Sequence, residues 1–250
     1  MIVADGITRD AGLIRLPFEE FIAEGYKKYP NPSPAKWAAD LFIESALTFL
    51  KNKKEIDEQT LRNAFEHSNK QIDQLNKEKN PLYPNIDYLM NDLYGTFGAI
   101  ACIQKNVLYW GFIGDCGIAI LTKEGGIKMR TPDDQAIAQR IRNQRLEKGG
   151  IKVVWEQPET RFIKRAVFRN RPTIQGSFGE LTGEKEAIAY VKTGKTIISP
   201  KDIIMVYSDG VEPFLFENPK IMAQKEQTIK DYFQSKILAE GTIIYQIYNS

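Results

Sequence analysis

The 250-residue sequence contains one histidine and two cysteines, and this scarcity removes several classes of site at once. A zinc centre needs a cluster of sulfur and imidazole ligands. His67 stands alone in a helical pattern, after Phe65 and Glu66 and without a partner motif, and reads as a packing residue. Cys102 and Cys116 each fall within an apolar run, where small buried hydrophobes are expected, and such usage suits a reducing cytosol. Long apolar runs are also lacking. None approaches the roughly 18 residues of a membrane span, and Asp5 and Arg9 interrupt any apolar region that a signal peptide would need. Charge of one sign is missing too. The 34 basic and 32 acidic residues are spread along the chain, with a net charge of +2, and leave no footprint for nucleic acid or a membrane surface. No linker or repeat divides the chain, and 42% hydrophobic residues suffice for a substantial core. The expectation is one cytoplasmic domain over residues 1–250.

What is present is a regular alternation of elements. Ile2 to Ala4 reads as the tail of a strand closed by an Asp5-Gly6 turn. Ser33 is a candidate N-cap and Pro34 suits a first helical turn, and Trp37, Leu41, Phe42, Ala46 and Phe49 then recur at helical spacing to about Leu50. Asp57 to Lys79 predicts a second helix, with Leu61, Phe65, Ile72 and Leu75 on one stripe. After a loop rich in proline and asparagine, Thr96 to Leu121 alternates as a strand meander that first reverses at Lys105-Asn106. Glu124-Gly125-Gly126 turns the chain into a strand from Ile127 to Arg130, and Thr131-Pro132-Asp133-Asp134 caps a helix from Gln135 to Lys148. The basic stretch RFIKRAVFRNRP predicts an exposed, partly helical connection. Ala187 to Lys192, Ile203 to Tyr207 and Thr242 to Tyr248 read as strands, and Gln224 to Phe233 as a helix. Such an order predicts antiparallel sheets covered by helices.

Three aspartates are delivered from strand ends. Asp5 follows Ile2 to Ala4, Asp115 lies in the break of LYWGFIGDCGIAIL, and Asp209 closes IIMVYSDG. One such aspartate is commonly a turn or cap residue. Three that converge would repel unless a cation neutralised them, and hard oxygen donors without a histidine or cysteine cluster select Mg²⁺ or Mn²⁺. Glycine after Asp5 and Asp209 would let a carbonyl or a water approach such an ion.

These segments come in a familiar order. Val3-Ala4-Asp5-Gly6, Tyr94-Gly95-Thr96-Phe97-Gly98-Ala99-Ile100-Ala101, GFIGDCGIAI, TPDDQ, SFGELTGE and IIMVYSDGV together resemble the metal-dependent serine/threonine protein phosphatases of the type 2C family, over nearly the whole chain. The resemblance implies an α+β fold, an αββα sandwich of two antiparallel sheets flanked by helices, with a centre of two or more Mg²⁺ or Mn²⁺ ions at one edge of the sheets. By the same resemblance Asp5 is the metal-bridging aspartate, Gly6 offers its carbonyl to the second metal, Asp209 is the first-metal ligand, and Asp115 belongs to an additional, weaker metal site. Asp5 and Asp209 would then be the catalytic acids.

The implied reaction is hydrolysis of phosphoserine or phosphothreonine in a phosphoprotein substrate, by in-line attack of a metal-generated hydroxide without a covalent enzyme intermediate. Arg9 is the arginine nearest in sequence to the metal residues and is a candidate phosphate contact, whereas Arg169 and Arg171 are expected on the surface. Several positions depart from the family pattern. Its first motif, an arginine followed by an acidic pair, would precede Val3, so the N-terminal strands are expected to be missing, with an open sheet edge near Ile2 to Ala4 that favours association. Ile7, Thr8 and Arg9 stand in place of small residues or a histidine. Cys116 replaces a serine, and Ala239, with Glu240 beside it, occupies the place of a C-terminal aspartate. The second function these departures leave open is a catalytically weakened or inactive phosphatase-fold protein that acts as a regulatory or phosphoprotein-binding module.

Overall fold

A computed structural model describes residues 1–7, 32–88, 92–151, 158–224, 226–236 and 241–249. Its strands form two four-stranded sheets, antiparallel throughout. The first has the order β1 (Ile2–Gly6), β2 (Thr96–Gln104), β3 (Val107–Ile113), β6 (Lys192–Ile197). The second has the order β5 (Ile127–Arg130), β4 (Gly117–Leu121), β7 (Ile203–Tyr207), β8 (Ile243–Ile247). Helices α1 (Pro34–Lys51) and α2 (Glu58–Lys79) cover the outer face of the first sheet. α5 (Glu212–Glu217) and α6 (Glu226–Lys236) cover that of the second. Between them in sequence lie α3 (Asp134–Lys148) and α4 (Pro158–Ile163), the latter running into a π-helical turn at Lys164–Phe168. This is the αββα sandwich that the sequence predicts.

Side-chain alternation along the strands builds three apolar layers, because successive residues point to opposite faces. Phe97, Ala99 and Ala101 of β2 and Leu108 and Phe112 of β3 meet Ile118, Ile120, Ile204 and Val206 of the second sheet in the central core. Their neighbours Ile100 and Ile113 turn outward against Phe42, Leu61, Phe65 and Ile72 of α1 and α2. On the opposite side, Leu121, Met205 and Tyr207 pack on Leu215, Ile229 and Phe233. Each of the larger aliphatic and phenylalanine side chains, fully removed from water, contributes about 1.5–3 kcal/mol. The helix starts are those the sequence signals: Ser33 Oγ accepts from the Lys36 amide at 3.0 Å, and Asp57 Oδ1 from the Thr60 amide at 2.6 Å.

Four expectations need correction. β4 does not continue the meander of β2 and β3. It crosses to the other sheet and pairs with β5 and β7, because the break at Gly114-Asp115-Cys116 redirects the chain. Ala187 to Lys192 is not a strand: Lys185–Tyr190 forms a short 3₁₀ turn, and the strand follows at Lys192–Ile197. Its two lysines and a glycine suit the edge position it takes in the sheet. The basic stretch is not an exposed connection throughout, since Phe168, Arg169 and Asn170 are buried. Arg169 in particular is not a surface residue. Its Nη1 lies 2.6 Å from Asp92 Oδ1 and 3.8 Å from Glu180 Oε1, and its Nε lies 3.4 Å from Glu184 Oε2. Acids remote in sequence make its burial tolerable.

Candidate metal centre

The pairing register explains why the three aspartates converge. In the first sheet Asp5 pairs with Phe97, and Ile113 pairs with Gly98, so the ends of β1 and β3 flank the start of β2. In the second sheet Gly117 pairs with Tyr207, so β4 begins beside the end of β7. Asp115 lies in the turn that carries the chain from one sheet to the other. Asp5 is therefore on one side of it and Asp209 on the other, all at one end of the sandwich.

Local chemistry holds each in place. The Asp5 carbonyl accepts from Thr96 Oγ1 at 2.7 Å. Gly6 lacks a Cβ for a structural reason, since one there would collide with the carbonyl and Cβ of Ala35 at the start of α1. Gly114 has φ +84°, where a side chain is strained, and a Cβ would strike the Phe97 ring. Asp209 is exposed in the turn after β7, and its carbonyl accepts from the Glu212 amide at 3.0 Å.

The electrostatics of Asp115 report the convergence. Burial pushes its carboxyl well above the usual carboxylate range, and the charges of Asp209, Asp5 and then Asp133 push it further. Asp115 Oδ1 is buried and has no hydrogen-bond partner. Cys116 is packed in the core between the sheets. Burial raises its thiol pKa well up, and Asp115, Asp5 and Asp209 add to that. His67, on α2, stacks on Phe49 with ring centroids 5.4 Å apart. Arg171 pairs with Glu184 at 3.2 Å. Thr8, Arg9, Ala239 and Glu240 lie outside the described residues.

Two further residues bear on the site: Asp133, which the sequence offers as a helix cap within TPDDQ, and Lys164, which it does not single out. Asp133 caps α3, its Oδ1 accepting from the Ala136 amide at 2.8 Å, while its charge reaches Asp115. Lys164 has its pKa pushed down to about 8, first by burial and then by Arg142, with Glu180 opposing, Arg165 adding, and Asp115 opposing. Its ammonium lies 5.2 Å from the centroid of Phe178. Nothing in RFIKRAVFRNRP distinguishes this lysine from its neighbours.

The donor set, carboxylate oxygens whose charges push the Asp115 carboxyl up around its orphaned Oδ1, fits a hard divalent cation. Among the described residues, no three His, Cys, Asp or Glu side chains stand as a finished metal cage.

No protein-family model matches the sequence, and a search of characterised proteins gives no match. Solved structures do. The Mycobacterium tuberculosis serine/threonine phosphatase PstP/Ppp superposes with a TM-score of 0.58 at 17% identity, over 100% of this chain and 88% of that one. The S. agalactiae serine/threonine phosphatase matches with a TM-score of 0.58 at 14% identity, over 100% and 86%. The catalytic domain of PstP in complex with two manganese ions matches with a TM-score of 0.54 at 14% identity, over 100% of both chains. The chain has the fold of these phosphatases. Within this phosphatase fold, Asp5, Asp115 and Asp209 share one end of the two sheets, and no described helix is long and apolar enough to cross a membrane.

Asp115→Asn is expected to stabilise the metal-free protein by about 1–3 kcal/mol at pH 8, the scale of an unsatisfied buried polar group. The sign follows from the raised carboxyl. The folded protein binds this proton more tightly than the unfolded chain, so the stabilising effect is complete below the unfolded pKa and is lost as pH rises through the folded one. The gain should shrink toward pH 4. Urea titrations with chelator at both pH values check it, and an equal gain at both would contradict the burial argument.

Proposed function

We propose that the chain is a metal-dependent protein phosphatase that hydrolyses phosphoserine or phosphothreonine in phosphoprotein substrates. The observation that carries this reading is the convergence of Asp5, Asp115 and Asp209 at the junction of the two sheets, on a fold shared with serine/threonine phosphatases. These three carboxylates, with the Gly6 carbonyl, would hold Mg²⁺ or Mn²⁺. When bound, such ions supply Lewis acidity and lower the pKa of water. The residues of this chain do the rest. The β1–β2 pairing fixes Asp5, and the Gly114 turn aims Asp115. The hydrogen-bonded turn after β7 presents Asp209 at the exposed rim, where a phosphoryl group on a protein surface can reach it.

The test is hydrolysis of an aryl phosphate and of a phosphothreonine peptide by the full chain, with Mn²⁺ or Mg²⁺ and then with chelator. Chelator-sensitive turnover of both is expected. Mn²⁺ binding without turnover of either would overturn the enzyme and favour the phosphoprotein-binding module. Ala239, in the place of a C-terminal aspartate, is the observation that favours this second reading.

A further inference from the structure

Asp209 is held by more than its own turn. The Val211 amide donates to the Ser208 carbonyl at 3.1 Å, and the Glu212 amide to the Asp209 carbonyl at 3.0 Å. Ser208 also accepts from the Thr242 amide through its Oγ, at 3.0 Å, which ties the turn to the start of β8. Glu212, which closes the turn, keeps its carboxylate mostly buried against Arg130: Nη2 donates to Oε1 at 2.6 Å, and the Tyr207 hydroxyl lies 3.5 Å from the same oxygen. The Arg130 guanidinium lies 3.8 Å from the centroid of the Phe216 ring, one turn further along α5.

Arg130 is the last residue of β5, paired with Ala119 of β4. β4 is the strand that begins two residues after Asp115. Next to Arg130, Thr131 Oγ1 accepts from the Ile118 amide at 2.9 Å, so this end of β5 is itself fixed to β4. The Arg130–Glu212 pair thus links the strand behind Asp115 to the turn that bears Asp209.

We infer that Arg130 is a positioning residue: through Glu212 it fixes the Ser208–Glu212 turn and so sets Asp209 relative to Asp115. Its importance for an ion rests on the proposed function, whereas its hold on the turn does not. In the full metal-free chain, Arg130→Met should accelerate hydrogen exchange at the Val211 and Glu212 amides by about fivefold, the upper range for a partly exposed ion pair, while the β2 and β3 amides keep their rates. Mn²⁺ affinity, followed by the electron paramagnetic resonance of the free ion, should fall by a similar factor, and Arg130→Lys should restore part of both.

Unchanged exchange at Val211 and Glu212, or acceleration spread evenly over the protein, overturns the inference. So does parental Mn²⁺ affinity in Arg130→Met. A parent chain that binds no Mn²⁺ would sink the metal reading by itself. Local acceleration confined to the turn would then still establish the role of Arg130.

Discussion

Arg169→Met is expected to cost about 3–5 kcal/mol of folding free energy, the scale for removing one partner from a buried ion pair. Its side chain is fully buried. Asp92 receives it at 2.6 Å and also Arg165 Nε at 2.6 Å, so Asp92 would retain one cation after the substitution. Glu180 would not fare as well. Burial already pushes its carboxyl up to about 7, against the pull of Arg169, and Oε1 has no hydrogen-bond partner. Loss of the guanidinium leaves this acid to take up a proton or to draw in water. Against a typical total of about 5–15 kcal/mol, the loss would leave the protein marginal. Urea denaturation followed by tryptophan fluorescence measures it, and Arg169→Met combined with Glu180→Gln should recover part. A loss below about 1 kcal/mol would mean that the cluster acts like a surface ion pair.

Asp209→Asn is expected to reduce Mn²⁺-dependent hydrolysis by at least about a hundredfold, since even outer-shell partners of metal ligands carry tenfold to hundredfold effects. The substitution keeps the shape and removes the charge. Asp209 is exposed and its backbone, not its carboxylate, makes the turn bond to Glu212. The metal-free fold should therefore be unharmed, and relief of repulsion on Asp115 should make it slightly more stable. Rates of aryl phosphate hydrolysis across a Mn²⁺ titration, beside urea midpoints without metal, separate the two effects. An Asp209→Asn protein that works at the parental rate would remove Asp209 from the site.

Much of this architecture is legible in the sequence because it is written in local signals. Ser33 and Asp57 cap helices that begin where they predict, and the unbroken apolar run from Ile203 to Tyr207 marks a strand buried on both faces. The strand-end aspartates were legible for the same reason: each closes an apolar run with a glycine beside it. What was illegible is non-local. Arg169 looks like one of several exposed basic residues until Asp92 and Glu180 arrive from other segments. Arg130 and Glu212 are 82 residues apart in sequence, and neither carries a motif. β6 was displaced by five residues because its lysines hide the alternation that an edge strand needs on only one face.

The turn at Gly114-Asp115-Cys116, which passes the chain from one sheet to the other, also governs when the site can exist. Asp5 and Asp209 are separated by about two hundred residues, and each waits for its own sheet, so the acids meet only when both sheets have paired and docked. A partly folded chain with one sheet formed carries no cluster of like charges and gains nothing from a cation. The ion therefore acts as a late fastener. Its binding energy would appear as slower unfolding of the assembled sandwich and leave the rate of folding nearly unchanged.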